Sequence, residues 1–362
     1  MQEKIVKLPD RKKRIDYFDA AKGLGMFLII WDHASVLSND VISVWGASFK
    51  VCLFFIISGM LVGMSDKKRK KKDTFKKLFR SLIIPYFIYS ALAITMHISG
   101  LLVMHKKNVL SALWSDVFTT ISFRGISALW FLPCIFIGRA IFELISYKDK
   151  KLPVKLIICI LTFGFVYLNL FFFGRFEPSM NKHLLYPYIT VMKGITAFLF
   201  ICIGWLLVRM GKKYKKILFS LPAGIIMLAV NTGLCFVGII NENVNFNSFH
   251  LRLFPFVYVI RAVIGSLGVI IILKAVTSRV RLRFLTYMGV NSLFFMATHH
   301  PLYITKATRK LVNKFIMNYN TLSAMYYVQL ILIVALILVI EFTLCEIVNK
   351  RNIIIGKLKK QK

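Results

Sequence analysis

Long apolar runs recur along the chain, and this feature limits the possible folds more than any other. Runs of about 17 to 25 residues are long enough to cross the hydrocarbon core of a membrane. Because backbone groups in lipid must find hydrogen-bond partners within their own segment, such runs form helices and not barrel strands. The sequence therefore predicts an all-α, polytopic membrane helix bundle of about ten transmembrane helices. They lie at about 18–37, 46–64, 78–103, 128–147, 154–173, 187–209, 217–240, 255–274, 283–304 and 322–348.

Composition agrees with a membrane protein and excludes a soluble one. The chain of 362 residues is 57% hydrophobic, and its mean hydropathy is +0.69. The first run carries charges and lacks a small-residue cleavage site, so it is not a removable signal. Residues 1–362 are expected to form one integral membrane domain, because the loops between the runs are too short to fold separately. Within it we expect a basic cytoplasmic arm at 1–17, the bundle at 18–348 and a basic cytoplasmic tail at 349–362.

The net charge of +34 is explained by membrane topology and not by nucleic-acid binding. The basic clusters alternate with the apolar runs and fall on one side of a ten-helix arrangement, which marks that side as the cytoplasm. Both termini are then cytoplasmic, and the basic clusters also contact anionic lipid headgroups of the bilayer. No nucleic-acid-binding motif accompanies them. The clusters are at 11–14, 67–77, 148–151, 212–216, 278–283 and 357–362, and the basic segment at 306–314 is an exception on the opposite side.

The six cysteines predict neither disulfides nor a metal site. They lie singly in or beside apolar runs, with no C-x-x-C pair and no histidine at metal-ligand spacing. We therefore expect them to be small buried side chains, and we expect no metal ion.

The first run contains four ionisable residues, Asp19, Lys22, Asp32 and His33. Charged groups within lipid are costly and usually face a protein interior or a wet cavity. Lys22 and His33 are eleven residues apart, close to three helical turns, so they share one helix face across a rise of roughly 16 Å. Asp19 lies one turn before Lys22 and can pair with it. Asp32 is rotated by about 100° from His33 and is expected to face elsewhere.

Lys22 and His33 have ordinary structural explanations as a snorkelling lysine and a helix-packing histidine. Together they favour a functional pair: a cation near the cytoplasmic surface to hold an anionic group, and an imidazole deeper in to accept a proton. Acyl-coenzyme A matches this layout, with phosphates at one end and a thioester at the other.

The chain resembles the acyltransferase-3 family of integral membrane acyltransferases, and most closely its O-acetylase branch, similar to fucose 4-O-acetylases. The family signature, a basic residue followed by ten residues and a histidine, is matched by Lys22 and His33. Four further landmarks follow in order over essentially the whole chain. They are "FFIISGML" at 54–61, "KLFRSLIIPY" at 77–86, "LWFLPCIF" at 129–136 and "MGVNSLFFMATHHPLY" at 288–303.

Two positions depart from the family pattern. Lys77 replaces an arginine, whereas Arg80 matches, and Asp32 stands where a small residue is usual. The sequence shows no soluble esterase-like domain after the bundle, which argues against the longer two-domain members.

The resemblance implies transfer of an acyl group, commonly acetyl, from acetyl-CoA to a hydroxyl of a cell-envelope glycan or lipid-linked saccharide. It places the protein in the plasma membrane of a bacterial-type cell. His33 would act as general base or accept the acyl group itself, and we favour the base. Lys22, Lys77 and Arg80 would bind the coenzyme phosphates, although Arg80 also fits a purely topological role.

Four other residues are candidates for substrate binding or support, each with a structural alternative. Ser58, beside Gly59, is best explained by close helix approach. Trp130 lines an acceptor tunnel or anchors the membrane interface. Asn291 and His299 support the site or join helices by hydrogen bonds.

Two alternatives to an enzyme remain at this point. Polar groups among ten helices also mark the substrate pathway of a transporter or flippase for a lipid-linked glycan. A catalytically silent subunit would require no coenzyme A. The absence of detectable inverted repeats and the ordered landmarks favour the enzyme. The oligomeric state is not determined by the sequence.

The predicted topology can be tested with reporter fusions. If both termini are cytoplasmic, a reporter that is active only in the cytoplasm works when fused after Lys362 and fails when inserted in the 39–47 segment. The reverse pattern would place Lys22 on the wrong side for a cytoplasmic coenzyme.

Overall fold

The computed structural model describes residues 15–37, 39–65, 70–176, 180–213, 219–236, 245–250, 255–316, 319 and 321–350. Most of the predicted basic arm and tail, and parts of the basic clusters at 67–77 and 212–216, lie outside these residues. In the described ranges all regular elements are helical, with no β-strand. The prediction of an all-α polytopic helix bundle is therefore confirmed.

The described residues of the first half of the bundle form eight α-helices. They are α1 (Asp16–Ala34), α2 (Val41–Ala47), α3 (Lys50–Gly63), α4 (Lys71–Leu78), α5 (Ile84–Val103), α6 (Val109–Ile121), α7 (Phe131–Leu144) and α8 (Leu152–Phe176). A π-helical turn, Phe79–Ile83, joins α4 to α5, and a short 3₁₀ helix, Ser127–Trp130, leads into α7. Pro85 lacks the N–H that would bond the carbonyl four residues earlier, so the ladder adjusts there by a wider turn.

The second half contains seven described α-helices. They are α9 (Lys182–Lys213), α10 (Leu221–Phe236), α11 (Pro255–Thr277), α12 (Arg283–Val290), α13 (Ser292–Thr298), α14 (Ile304–Val312) and α15 (Ala324–Lys350).

Among the described residues, seven helical segments are long and apolar enough to span a membrane, which makes this a multi-pass membrane protein. Three of the ten predicted spans are not in this set. α1 carries too many charges, α10 has only 16 residues, and the run at 283–304 is interrupted at Asn291 between α12 and α13. Sequence hydropathy found all three runs but could not detect the break within the last one.

Glycines bring α1 into backbone contact with α12. A Cβ atom added to Gly289 would lie 1.7 Å from the carbonyl oxygen of Asp19, and one added to Gly23 would lie 1.9 Å from that of Leu285. Gly59 on α3 and Gly204 on α9 make the same reciprocal contact, at 2.0 Å from Ile201 O and 2.2 Å from Ile56 O. Close helix approach at Gly59, expected from the sequence, is confirmed. The first pair holds α1, which carries the charged residues of the first run, against α12, and the second holds α3 against α9.

Gly289→Ala is expected to destabilise the protein by about 1–3 kcal/mol, because the added methyl group must push α12 away from α1. The measurement is the thermal unfolding midpoint of the purified protein in detergent. Gly164→Ala is the matched control, because nothing lies within 4 Å of a Cβ atom added there. Equal midpoints for both variants would contradict the close contact.

Candidate active site

A cavity of about 700 Å³ opens between the helices, and both residues of the predicted catalytic pair line it. Lys22 and His33 come from the two ends of α1, and α3, α7 and α11 contribute further lining residues. Both side chains of α1 thus reach one cavity, as expected for ionisable groups in a membrane helix. The pair is separated by a rise of about 16 Å along the helix.

At the start of α1, Lys22 forms an ion pair with Asp19. The Nζ atom of Lys22 lies 2.5 Å from Oδ1 of Asp19, and the side chains are 24% and 10% exposed. The predicted pairing is confirmed. Asp19 compensates the lysine charge within the bundle, while Lys22 still lines the cavity.

At the other end, three histidine rings form a cluster. The ring of His33 lies 5.0 Å from that of His299 and 4.5 Å from that of His300, measured between centroids. His300 also bonds Ser127, and both of these residues line the cavity. The Nδ1 atom of His33 is buried and has no hydrogen-bond partner among the described residues. This nitrogen therefore has no bond to a described residue that a ligand would have to replace.

His299, predicted as a supporting residue, is brought against His33 and is fully buried. Its Nδ1 atom donates to the carbonyl oxygen of Phe295 at 2.6 Å, which leaves Nε2 as the acceptor. The preceding residue, Thr298, donates to the carboxyl group of Glu341 on α15 at 2.6 Å. This second bond fixes the end of α13, next to His299, against α15.

Arg309, on α14, holds the end of α1. Its Nη2 atom donates to the backbone oxygens of His33 and Ala34, each at 2.9 Å. Carbonyls in the last turn of a helix have no partner within the helix, so this cation satisfies them and fixes the backbone beneath the imidazole. Sequence reasoning missed Arg309 and His300. The only signals were the basic segment at 306–314, which departs from the predicted topology, and the tandem His299–His300.

The expectation that Asp32 faces away from the site is wrong. Asp32 also lines the cavity, and its Oδ2 atom pairs with Nζ of Lys50 at 2.9 Å. The cavity contacts two neighbouring faces of α1 at this end, so a rotation of about 100° does not remove a side chain from it. Lys50 starts α3, and sequence reasoning missed it although a lysine at the edge of an apolar run was visible.

Ser58 and Trp130 line the cavity as well. Ser58 accepts a hydrogen bond from Nη1 of Arg139 at 3.2 Å, so it has a polar role beyond close helix approach. Arg139 also pairs with Glu143, one turn further along α7, at 3.0 Å.

Trp130 is buried, so it does not anchor the membrane interface. Its ring stacks on Phe246 at 5.6 Å, and the ammonium of Lys193 lies 4.6 Å from the ring centroid. Lys193 is fully buried and also donates to Asn247 at 3.2 Å. Trp130 therefore lines the cavity with an aromatic ring, and the amino group of Lys193 contacts that ring.

The remaining predicted residues do not line the cavity. Asn291 lies at the break between α12 and α13, where its Nδ2 atom bonds the carbonyl oxygen of Tyr287 at 3.0 Å. Lys77 and Arg80 are exposed on α4 and the π-helical turn, although Leu82 in that turn does line the cavity. Within the described part of the chain, no group of three or more metal-ligating side chains has an arrangement that could hold a metal ion.

A family model described as an acyltransferase domain matches residues 15–345, which is nearly the whole chain. The chain belongs to the acyltransferase-3 family. Comparisons with curated proteins and with solved structures find no significant match. This membrane acyltransferase thus has both residues of the predicted catalytic pair, Lys22 and His33, in the wall of one cavity.

Arg309→Gln is expected to slow acyl transfer by this acyltransferase about ten- to a hundredfold, because it removes two charge-assisted hydrogen bonds that fix the backbone of His33. The readout is the turnover number at saturating acyl donor, and Arg309→Lys is expected to restore part of it. Lys310→Gln, which removes an exposed charge from the same helix, is the control. An Arg309→Gln protein as fast as this control would contradict the positioning role.

Proposed function

We propose that the protein is a membrane-embedded O-acyltransferase that moves an acetyl group from acetyl-CoA to a hydroxyl of a cell-surface or lipid-linked polysaccharide in a bacterial-type plasma membrane. The observation that carries the proposal is the single cavity lined by both Lys22 and His33. Family membership supports acyl transfer in general. It favours an enzyme over a glycan transporter, the alternative that polar groups in a helix bundle also allow.

The donor would enter with its phosphates at the Lys22 end. The lysine is neutralised by Asp19 but keeps further ammonium protons for phosphate oxygens. Lys77 and Arg80 would add positive charge outside the cavity, beside the π-helical turn that carries Leu82. A long donor held in this way extends its thioester along the cavity toward His33.

His33 would act as general base on the acceptor hydroxyl. A ring nitrogen takes the hydroxyl proton while the oxygen attacks the thioester carbonyl, and the coenzyme leaves as its thiolate. The unpartnered Nδ1 atom of His33 supports this role, since it has no competing bond within the protein. His299, His300 and Arg309 would hold the imidazole in place, as their contacts with His33 suggest.

The direct test incubates the purified protein with labelled acetyl-CoA and follows loss of the thioester and transfer of label to envelope glycan. Donor-dependent transfer is expected. Glycan movement across vesicles without any thioester loss would instead assign the protein to the transporters.

His33→Ala is expected to lower kcat by about 10²- to 10⁴-fold while leaving acetyl-CoA binding nearly intact, because the variant loses the base and keeps the donor site. Lys22→Ala is expected to weaken donor binding, and Lys22→Arg to recover part of it since the charge is retained.

These effects are measured as kcat and as the Kd for acetyl-CoA. His105→Ala, at an exposed histidine outside the cavity, is the control. A folded His33→Ala protein with the parental rate would remove this histidine from the mechanism.

A further inference from the structure

Arg261 is a buried cation in the cavity wall that the proposed reaction does not use. It lies on α11, is only 3% exposed, and lines the cavity. α11 is one of the helices long and apolar enough to span a membrane, and Arg261 lies within that apolar segment. A charge in this environment calls for a compensating partner.

The other cations that line the cavity have carboxylate partners. Lys22 pairs with Asp19, and Lys50 pairs with Asp32. Arg261 makes no ion pair with any described residue. Its Nη2 atom donates to the thiol of Cys235 at 2.8 Å, and its Nε atom is buried without a hydrogen-bond partner. A thiol is a weak acceptor and supplies no negative charge.

Contacts of α11 place Arg261 at the His33 end of the cavity. Near the other end of α11, Lys274 lies 6.0 Å from the ring of Tyr17 at the start of α1. Arg261 precedes Lys274 by about 20 Å of helical rise, and His33 follows Tyr17 by about 24 Å. The two side chains are therefore at similar depth.

A second set of contacts agrees with this depth. Asn231 donates to the backbone oxygen of Arg261 at 2.9 Å and to Oγ of Ser48 at 3.2 Å. Ser48 lines the cavity two residues before Lys50, whose ammonium pairs with Asp32 next to His33. Arg261 thus belongs to the part of the cavity where the acceptor would meet the base.

The lining of this part suits an acidic sugar. Asn245 and Asn247 line the cavity with polar side chains, and Trp130 offers an aromatic face. The fully buried Lys193, behind Trp130 and Asn247, adds a second cation without a described carboxylate partner. Burying a charge without a partner is costly, and a ligand anion would remove that cost on binding.

We propose that Arg261 binds an oxyanion of the acceptor, a carboxylate or a phosphate, so that the acyltransferase selects an acidic glycan. The guanidinium can donate two parallel hydrogen bonds to either group. This inference rests on the proposed function, because it assigns the anion to the acceptor of that reaction.

The first test compares the binding of three small ligands to the wild-type protein in phosphatidylcholine nanodiscs, measured from the shift in Tm. Methyl glucuronoside and glycerol 1-phosphate are expected to bind about tenfold or more tightly than neutral methyl glucoside, the gain of one charge-assisted contact. Equal binding of the three probes overturns the proposal. If phosphatidylglycerol stabilises the protein in a way that requires Arg261, and the three ligands bind equally, the anion belongs to a lipid and the proposal is also overturned.

The second test uses variants at Arg261. Arg261→Met keeps a similar length and removes the uncompensated charge, so we expect the preference for acidic sugars to disappear while the Tm of the ligand-free protein stays equal or rises. Arg261→Lys is expected to retain part of the preference and covers the case in which the Met variant does not fold. Lys274→Met removes an exposed charge from the same helix and is expected to leave the preference unchanged.

An unchanged preference in Arg261→Met would overturn the proposal, and a lower Tm of that variant would then make Arg261 a structural residue. The assays also separate this inference from the function beneath it. Thioester loss without any preference for acidic ligands would contradict the anion-binding role of Arg261 and leave the proposed acyltransferase function intact. An Arg261-dependent preference without thioester loss would contradict the proposed acyltransferase function and leave anion binding at Arg261 intact.

Discussion

The backbone contact between α1 and α12 is the constraint on which the rest of the structure depends. A helix with Asp19, Lys22, Asp32 and His33 cannot face lipid, so other helices must enclose it. The glycines on α1 and α12 let the two backbones touch, where any side chain would separate them. This enclosure allows a cavity to form beside α1, a helix whose charges keep it out of the set of apolar membrane-spanning helices.

Charge compensation then divides the cavity into two regions. Near the start of α1, a lysine and an aspartate on consecutive turns cancel each other. Near its end, Asp32 and Lys50 do the same between two helices, and Arg309 caps the exposed carbonyls. Each pair removes a cost that lipid would otherwise impose, so each also stabilises the geometry around it. Arg261 is the lining cation outside this scheme among the described residues.

Local geometry explains which features the sequence could predict. The Lys22–Asp19 pair follows from one helical period and is confirmed. Lys22 and His33 both line the cavity, but so does Asp32 from a neighbouring face, so the period alone does not determine the lining. Contacts between distant segments do not follow from it. Nothing local indicates that Arg309 reaches α1, or that Lys50 draws Asp32 into the cavity wall. The break at Asn291 was hidden because its neighbours are apolar on both sides.

The break at Asn291 divides one apolar run into two helices with different contacts. α12 is locked to α1 through backbone contact at Gly289, whereas α13 leads directly to the imidazoles of His299 and His300. Because the helical hydrogen-bond ladder is interrupted between them, the direction of α13 is set separately from that of α12, through the bond of Thr298 to Glu341 on α15. The position of His299 and His300 therefore depends on α15, whereas the frame around Lys22 depends on the contact of α12 with α1.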